Sequence, residues 1–400
     1  MSSSPSWTPE DSLSGLEAAL RPKPPRHQLV FYGSDPWKLT ETLFLHFENT
    51  KNLQSILATN VGFTPNETQA THISVCLRQG RELFRLARES ELLARPLLIY
   101  YGMHSFAKAV ALSFGNPKTH EDFPEAHGLK DTLQIHASEL DRSTVKILND
   151  GVFQRFVSAL RETTGFQFPA PVASFTWAQV PSTEPSRLAN LEISLKDLFA
   201  RVPGLGDFLG LTLGGEQMIA RAESRFDRLT SAPAKFHLLL YVRGPRVTAD
   251  WARTLQPALR QWGVLREQPG EVIFDNTPPD WTYSQIEEET ARVVRPVGSL
   301  LFPMEMTLGD EALIVGTLGG HTLPSMAIEY LAAFALGSIA RYRPDLWADF
   351  VSLRSAKGHS GYRALVERFL DLIIERFPLK VLTTMTETRI VLRNPGVISG

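Results

Sequence analysis

Residues 68–114 read TQATHISVCLRQGRELFRLARESELLARPLLIYYGMHSFAKAVALSF, and the fold class turns on this stretch. In its first half Ile73, Leu77, Phe84 and Leu92 recur near the 3.6-residue period, with Arg78, Arg81, Arg85 and Arg88 largely on other faces. That spacing predicts a long amphipathic helix over Thr68–Leu93. Arg95-Pro96 predicts its end, because the residue before a proline is pushed out of the helical region. The second half, Leu97–Phe114, is more apolar and predicts a second helix, stopped by Gly115-Asn116-Pro117.

Helical patterns continue on both sides. Upstream, Trp37–His46 carries Leu39, Leu43 and Phe47 at helical spacing. Downstream, a His- and acid-rich loop, Thr119–Lys130, precedes Asp150-Gly151 and a predicted helix, Val152–Thr163, whose Phe153, Phe156 and Leu160 share a face. Near the C-terminus, Ser325–Tyr342 is apolar almost all round, which places it in the core. Tyr362–Arg376 is amphipathic through Leu365, Phe369, Leu372 and Ile373, with Phe377-Pro378 as its predicted end and a last strand at Arg389–Leu392.

The middle differs. Glycine and proline become frequent, and Phe236–Val242, Val272–Phe274, Ser299–Met306 and Ala312–Val315 are strand candidates. Leu191–Arg201 and Thr248–Trp262 read as short helices, the second capped by Thr248. These strands do not alternate with long helices, so the sheet is expected to be antiparallel. The fold class is therefore α+β and α-rich. Helical N- and C-terminal parts are expected to pack together around or beside a middle α+β part. The partition is 1–28, a Pro/Ser-rich arm; 29–164, helical; 165–323, α+β; and 324–400, helical.

Composition narrows the function classes. Lys+Arg 41 against Asp+Glu 43 gives a formal net charge of −2, which excludes a global basic field for nonspecific nucleic-acid binding. The single cysteine, Cys76, allows neither an intramolecular disulfide nor a cysteine-based zinc site. It sits in an apolar helix pattern and reads as a buried structural thiol. A reducing, cytoplasmic location fits. The segment Met1–Pro9 lacks the pattern of a signal peptide. Met326–Ala340 is interrupted by Glu329 and too short to span a bilayer, so no membrane association is expected.

Three segments carry a resemblance to a known family. They are Arg95-Pro96-Leu97-Leu98-Ile99-Tyr100-Tyr101-Gly102, continuing through Ala107-Lys108-Ala109; His127-Gly128-Leu129; and Ala340-Arg341-Tyr342-Arg343-Pro344 with Trp347. In order and separation the chain resembles the YaaC-like family, over about residues 37–378. The resemblance implies a mixed fold with helical ends and no known reaction. A fainter likeness links Tyr100–Ala109 to the second helix of HEPN domains, small bundles of toxins and antiviral systems. Many HEPN ribonucleases carry an arginine followed, four to six residues on, by a histidine, and Arg354 with His359 fits that spacing. Ser355 after the arginine and the surrounding Gly/Ser-containing stretch depart from that pattern.

Four constellations offer chemistry. His359 could take a proton from a ribose hydroxyl while Arg354 meets the phosphate; the plainer alternative is a solvated loop. Tyr101, His104 and Lys108 share one helical face and could bind a phosphate or nucleotide; the alternative is a buried helix with hydrogen-bonded tyrosines. Arg341 and Arg343 could meet a phosphate, pair with Asp345 or Asp349, or stack on Trp347. His120, Glu121, Asp122, Glu125, His127, Asp131 and His136 match no tight metal spacing, so neither metal nor cofactor is assigned. Gly316, Gly319 and Gly320 read as a turn, and no P-loop, G-x-S-x-G, H-E-x-x-H or DNA-binding motif is present.

Three functions follow as expectations. From the two resemblances, the first is a protein-binding or self-associating accessory subunit of a phage-defence system, using the arm and the middle region. The second is a HEPN-like metal-independent ribonuclease acting on RNA through Arg354 and His359. The third is a nucleotide or small-ligand sensor using Tyr101, His104 and Lys108, with Arg341 nearby.

Overall fold

The computed structural model describes residues 28–32, 36–114, 120–124, 126–132, 140–160, 163–167, 175–179, 185–229, 235–275, 301–303, 312–352, 360–386 and 389–393. It comprises two compact units, one of them helical, spanning 26–161, 182–218 and 318–400. The other holds 162–181 and 219–317 and is built on a sheet. The chain is α+β and rich in helix, with N- and C-terminal helices packed together.

The helical unit is organised by six helices: α1 Pro36–Phe47, α2 Glu67–Glu89, α3 Arg95–Ser113, α4 Val152–Ala159, α5 Ser325–Tyr342 and α6 Ser360–Thr386. Asn66 starts α2 through a capping box with Gln69, each side chain bonding the other's backbone N–H at 2.9 Å. Helix α2 ends at Glu89, and Pro96 stands in the first turn of α3, where a missing N–H costs nothing. Helix α3 is the hub: α2, α4, α5 and α6 all pack on it. The α2–α3 crossing is close because Gly80 faces Phe106 and Gly102 faces Phe84; a Cβ at either would stand 2.5–2.6 Å from a ring carbon. Arg95 ties the start of α3 to Asp371 of α6 at 3.1 Å.

Every residue from Met326 to Ala340 in α5 is buried. Glu329 is tolerated there because Lys380 of α6 reaches its Oε1 at 2.8 Å and also bonds Ser325 Oγ at 3.1 Å. Helix α6 corrects the expectation that Phe377-Pro378 ends it: the helix runs on to Thr386 with Pro378 inside. An internal proline costs about 3 kcal/mol. Burial of Leu379, Val381, Leu382 and Met385 beyond it, at roughly 1.5–3 kcal/mol each, outweighs that.

A small antiparallel sheet completes this unit, with β1 Leu129–Asp131, β2 Thr144–Ile147 and β3 Glu192–Ser194 in that order. The stretch read as one helix, Leu191–Arg201, is thus a strand followed by the short helix Leu195–Phe199, capped by Ser194. Residues 182–218 belong to the helical unit, with Leu195, Leu198 and Phe199 fully buried. Gln28–Tyr32 and Arg389–Arg393 form a parallel pair.

In the sheet unit, β4 Ile219–Leu229, β5 Lys235–Arg243, β6 Gly263–Gln268, β7 Glu271–Asp275, β8 Leu301–Pro303 and β9 Ala312–Val315 lie in the order β8-β9-β4-β5-β7-β6. All these pairings are antiparallel. A hairpin of Thr163–Gln167 and Phe175–Gln179 adds to it, with a parallel bridge to β4. Leu240, Val242, Val272 and Phe274 are buried, as are Ala252 and Leu255 of the helix Ala249–Leu255. Thr248 caps that helix, bonding Trp251 N–H at 3.1 Å. The edge strand β6 is exposed at all six positions.

Among the described residues, no helix is long and apolar enough to cross a membrane.

Candidate functional site: a cavity between α3, α5 and the 126–131 turn

The site begins with a tight turn. Gly128 has φ +80° and Gly151 φ +152°; a Cβ on Gly151 would overlap the Gly128 backbone, and one on Gly128 would overlap the Gln154 side-chain amide and crowd Gly151 Cα at 3.0 Å. Only glycine fits both demands. The N–H groups of Val152 and Phe153, in the first turn of α4, donate to the carbonyls of Ala126 and His127 at 3.1 Å. Two helix-terminal donors that α4 cannot satisfy internally are thereby used to clamp the turn. Gln154 Nε2 adds bonds to the Gly128 and Leu148 carbonyls.

This clamp sets His127 against α3. Its ring lies 4.8 Å from that of His104 and 5.7 Å from that of Tyr100, both edge-on. Helix α5 closes the other side. Gly337 lets it approach, since a Cβ there would stand 3.1 Å from Tyr100 Cβ. Tyr330 and Phe334 meet the Tyr100 ring edge-on at 5.8 and 5.4 Å.

A cavity of about 240 Å³ opens between these elements. Leu97, Tyr100 and Phe334 supply apolar lining, and Lys130, Asp131 and Arg341 bring charge. Arg341 Nη1 donates to Tyr101 Oη at 2.6 Å, and its guanidinium lies 5.0 Å from the Tyr342 ring centre. Arg341 and Lys130 are exposed, so the charge stands at the mouth and the apolar surface inside.

Burial shapes the polar groups. It holds the His127 pKa below the ordinary histidine value, helped by repulsion from Lys108 and Arg341. His127 Nδ1 is buried with no hydrogen-bond partner. Burial also pushes the Tyr100 and Tyr330 phenols well up. Tyr330 bonds His104 Nδ1 at 2.8 Å, whereas the buried Tyr100 hydroxyl lies beside Tyr330 and makes no hydrogen bond of good geometry. The site thus brings together a neutral imidazole, an anchored guanidinium and an aromatic wall.

The structure separates the residues singled out from sequence. Tyr101 and Arg341 meet at the cavity. His104 stands behind it, on Tyr330 and His127. Lys108 lies over the Phe123 ring at 5.8 Å. Arg343 lies 3.6 Å from Asp345. Arg354 and His359 fall outside the described residues, as do Glu125 and His136 of the His- and acid-rich loop. Among the described residues, no three His, Cys, Asp or Glu side chains are grouped to hold a metal ion. Lys130 and Phe334 were not singled out from sequence; their signal was proximity to His127-Gly128-Leu129 and to Arg341-Tyr342.

The YaaC-like protein family model matches residues 45–385. The chain belongs to the YaaC-like family. The match runs through both units of this YaaC-like chain. No curated protein and no solved structure matches it. The three segments that carry the YaaC-like resemblance, 95–109, 127–129 and 340–347, each contribute to the wall of this cavity.

Proposed function

We propose that this YaaC-like protein binds a small molecule in the cavity between α3, α5 and the 126–131 turn. The convergence of three segments, far apart in sequence, on one partly apolar cavity carries this reading. Ligand sites are commonly concave, mostly apolar and provided with a few placed polar groups. Tyr101 fixes Arg341, and the Gly128–Gly151 contact fixes His127, so the polar groups are held before a ligand arrives. A ligand there would tie together helices α3 and α5 and strand β1, which suits a sensor.

The accessory-subunit reading in phage defence rests on sequence resemblance alone. The ribonuclease reading depends on Arg354 and His359. The cavity gives neither any support.

The test is retention of a native ligand. The protein is purified without denaturation, and small molecules released from it are identified by mass spectrometry. Leu97→Trp, at a half-buried lining position, fills the cavity. A compound retained by the wild type and lost from Leu97→Trp is expected. Equal retention, or none, would overturn the proposal.

A further inference from the structure

The cavity's polarity says more than that something binds. Its interior is walled by Leu97, Tyr100 and Phe334, and its mouth by Arg341 and Lys130. Among the described residues no carboxylate pairs with either cation. Arg341 is held by a neutral partner, the Tyr101 hydroxyl, which leaves its charge uncompensated and its remaining N–H donors available to point outward. Asp131 is the acidic lining residue, so two bases stand against one acid. Burial and the neighbouring cations keep His127 neutral, so it adds no positive charge deeper in. The volume equals about eight water molecules at liquid density, room for a single ring and a short substituent.

We infer that the ligand is a ring-sized molecule whose apolar body enters the cavity and whose one anionic group, phosphate or carboxylate, stops at the mouth on Arg341 and Lys130. This rests on the cavity reading above. An arginine fork donates paired N–H bonds to two oxygens of either oxyanion, so the shared chemistry is that pair of charged oxygens and not the element that carries them. A cationic ligand would meet two like charges; a neutral one would leave both unanswered.

The test is calorimetric titration of the full chain with four probes: phenyl phosphate, phenylacetate, benzyl alcohol and benzylamine. The two anions are expected to bind, benzyl alcohol at least about tenfold more weakly, and benzylamine not at all. Comparing the two anions identifies the preferred oxyanion. Arg341→Met is expected to weaken anion binding about tenfold, and Lys130→Met to weaken it less; both side chains are exposed, so folding should survive. Added salt should weaken anion binding, since charges at an open mouth are screened. If benzyl alcohol binds as tightly as the anions, and Leu97→Trp abolishes it, the anionic class falls while the cavity reading stands. If no probe binds, or if Leu97→Trp leaves binding unchanged, both fall.

Discussion

Glu329 carries a carboxylate into the second turn of α5, where its helix neighbours from Met326 to Ala340 are buried. Lys380 answers it at 2.8 Å, both side chains almost fully enclosed, and Oε2 of the same carboxylate is left without a partner. Removing one member of a buried pair strands the other charge, at a cost of about 3–5 kcal/mol. Lys380→Met is therefore expected to lose that much stability in urea denaturation, and Glu329→Leu with Lys380→Met to recover most of it. A single substitution that costs less than about 1 kcal/mol would contradict the account. Cys76 offers a second residue-level prediction. Burial raises its thiol pKa from 9.0 to about 11, against a smaller opposing effect of Lys108. The native state thus holds the proton more tightly than the unfolded chain. This contribution is intact below pH 9 and is lost as pH rises from 9 toward 11. Two pH units correspond to roughly 3 kcal/mol. Cys76→Ala should flatten that part of the stability–pH curve relative to the wild type; identical slopes would count against the burial argument.

At the scale of elements, local pattern and tertiary packing divide the credit. Helices α3 and α5 are legible because their residues are apolar over a length that only a buried helix explains. A break near Pro96 is legible, but its place is not: α2 stops at Glu89, short of the expected Leu93, and Arg95 is itself helical at the start of α3, because Pro96 fits a helix's first turn. The end of α6 is not, because the penalty at Pro378 is local while the compensating burial of Val381 and Leu382 depends on other helices. Strand β4 escapes a search for apolar runs, although its charges at Arg221, Glu223, Arg225 and Asp227 recur at every second place, the strand period. Strand β6 lacks any apolar alternation because all of it is exposed. The turn at His127-Gly128 is half legible: the glycine suggests a bend, but its partner Gly151 cannot be read from sequence spacing. Gly151→Ala should drive the two backbones apart, at a cost of about 2 kcal/mol. Because the same contact sets His127 at the cavity, it should also weaken phenyl phosphate binding by calorimetry. Unchanged affinity in a variant that is measurably destabilised would separate the turn from the site.

On the scale of the whole molecule, the candidate site is the part least open to sequence reading. Tyr101 and Arg341 are 240 residues apart, and no local period connects them. Sequence could nominate each, and the helical packing of α5 on α3 is what joins them. A ligand bound beside this contact would stabilise the native chain by mass action, about 2.7 kcal/mol at a hundred times its Kd. That stabilisation should be focused where the ligand ties segments together. The most direct test is amide hydrogen exchange of the full chain with and without saturating phenyl phosphate. Slower exchange is predicted together in 97–101, 127–131 and 334–342, with the β4–β5 pair, 219–243, unchanged. Unaltered exchange in those three segments, or an equal change in 219–243, would contradict it.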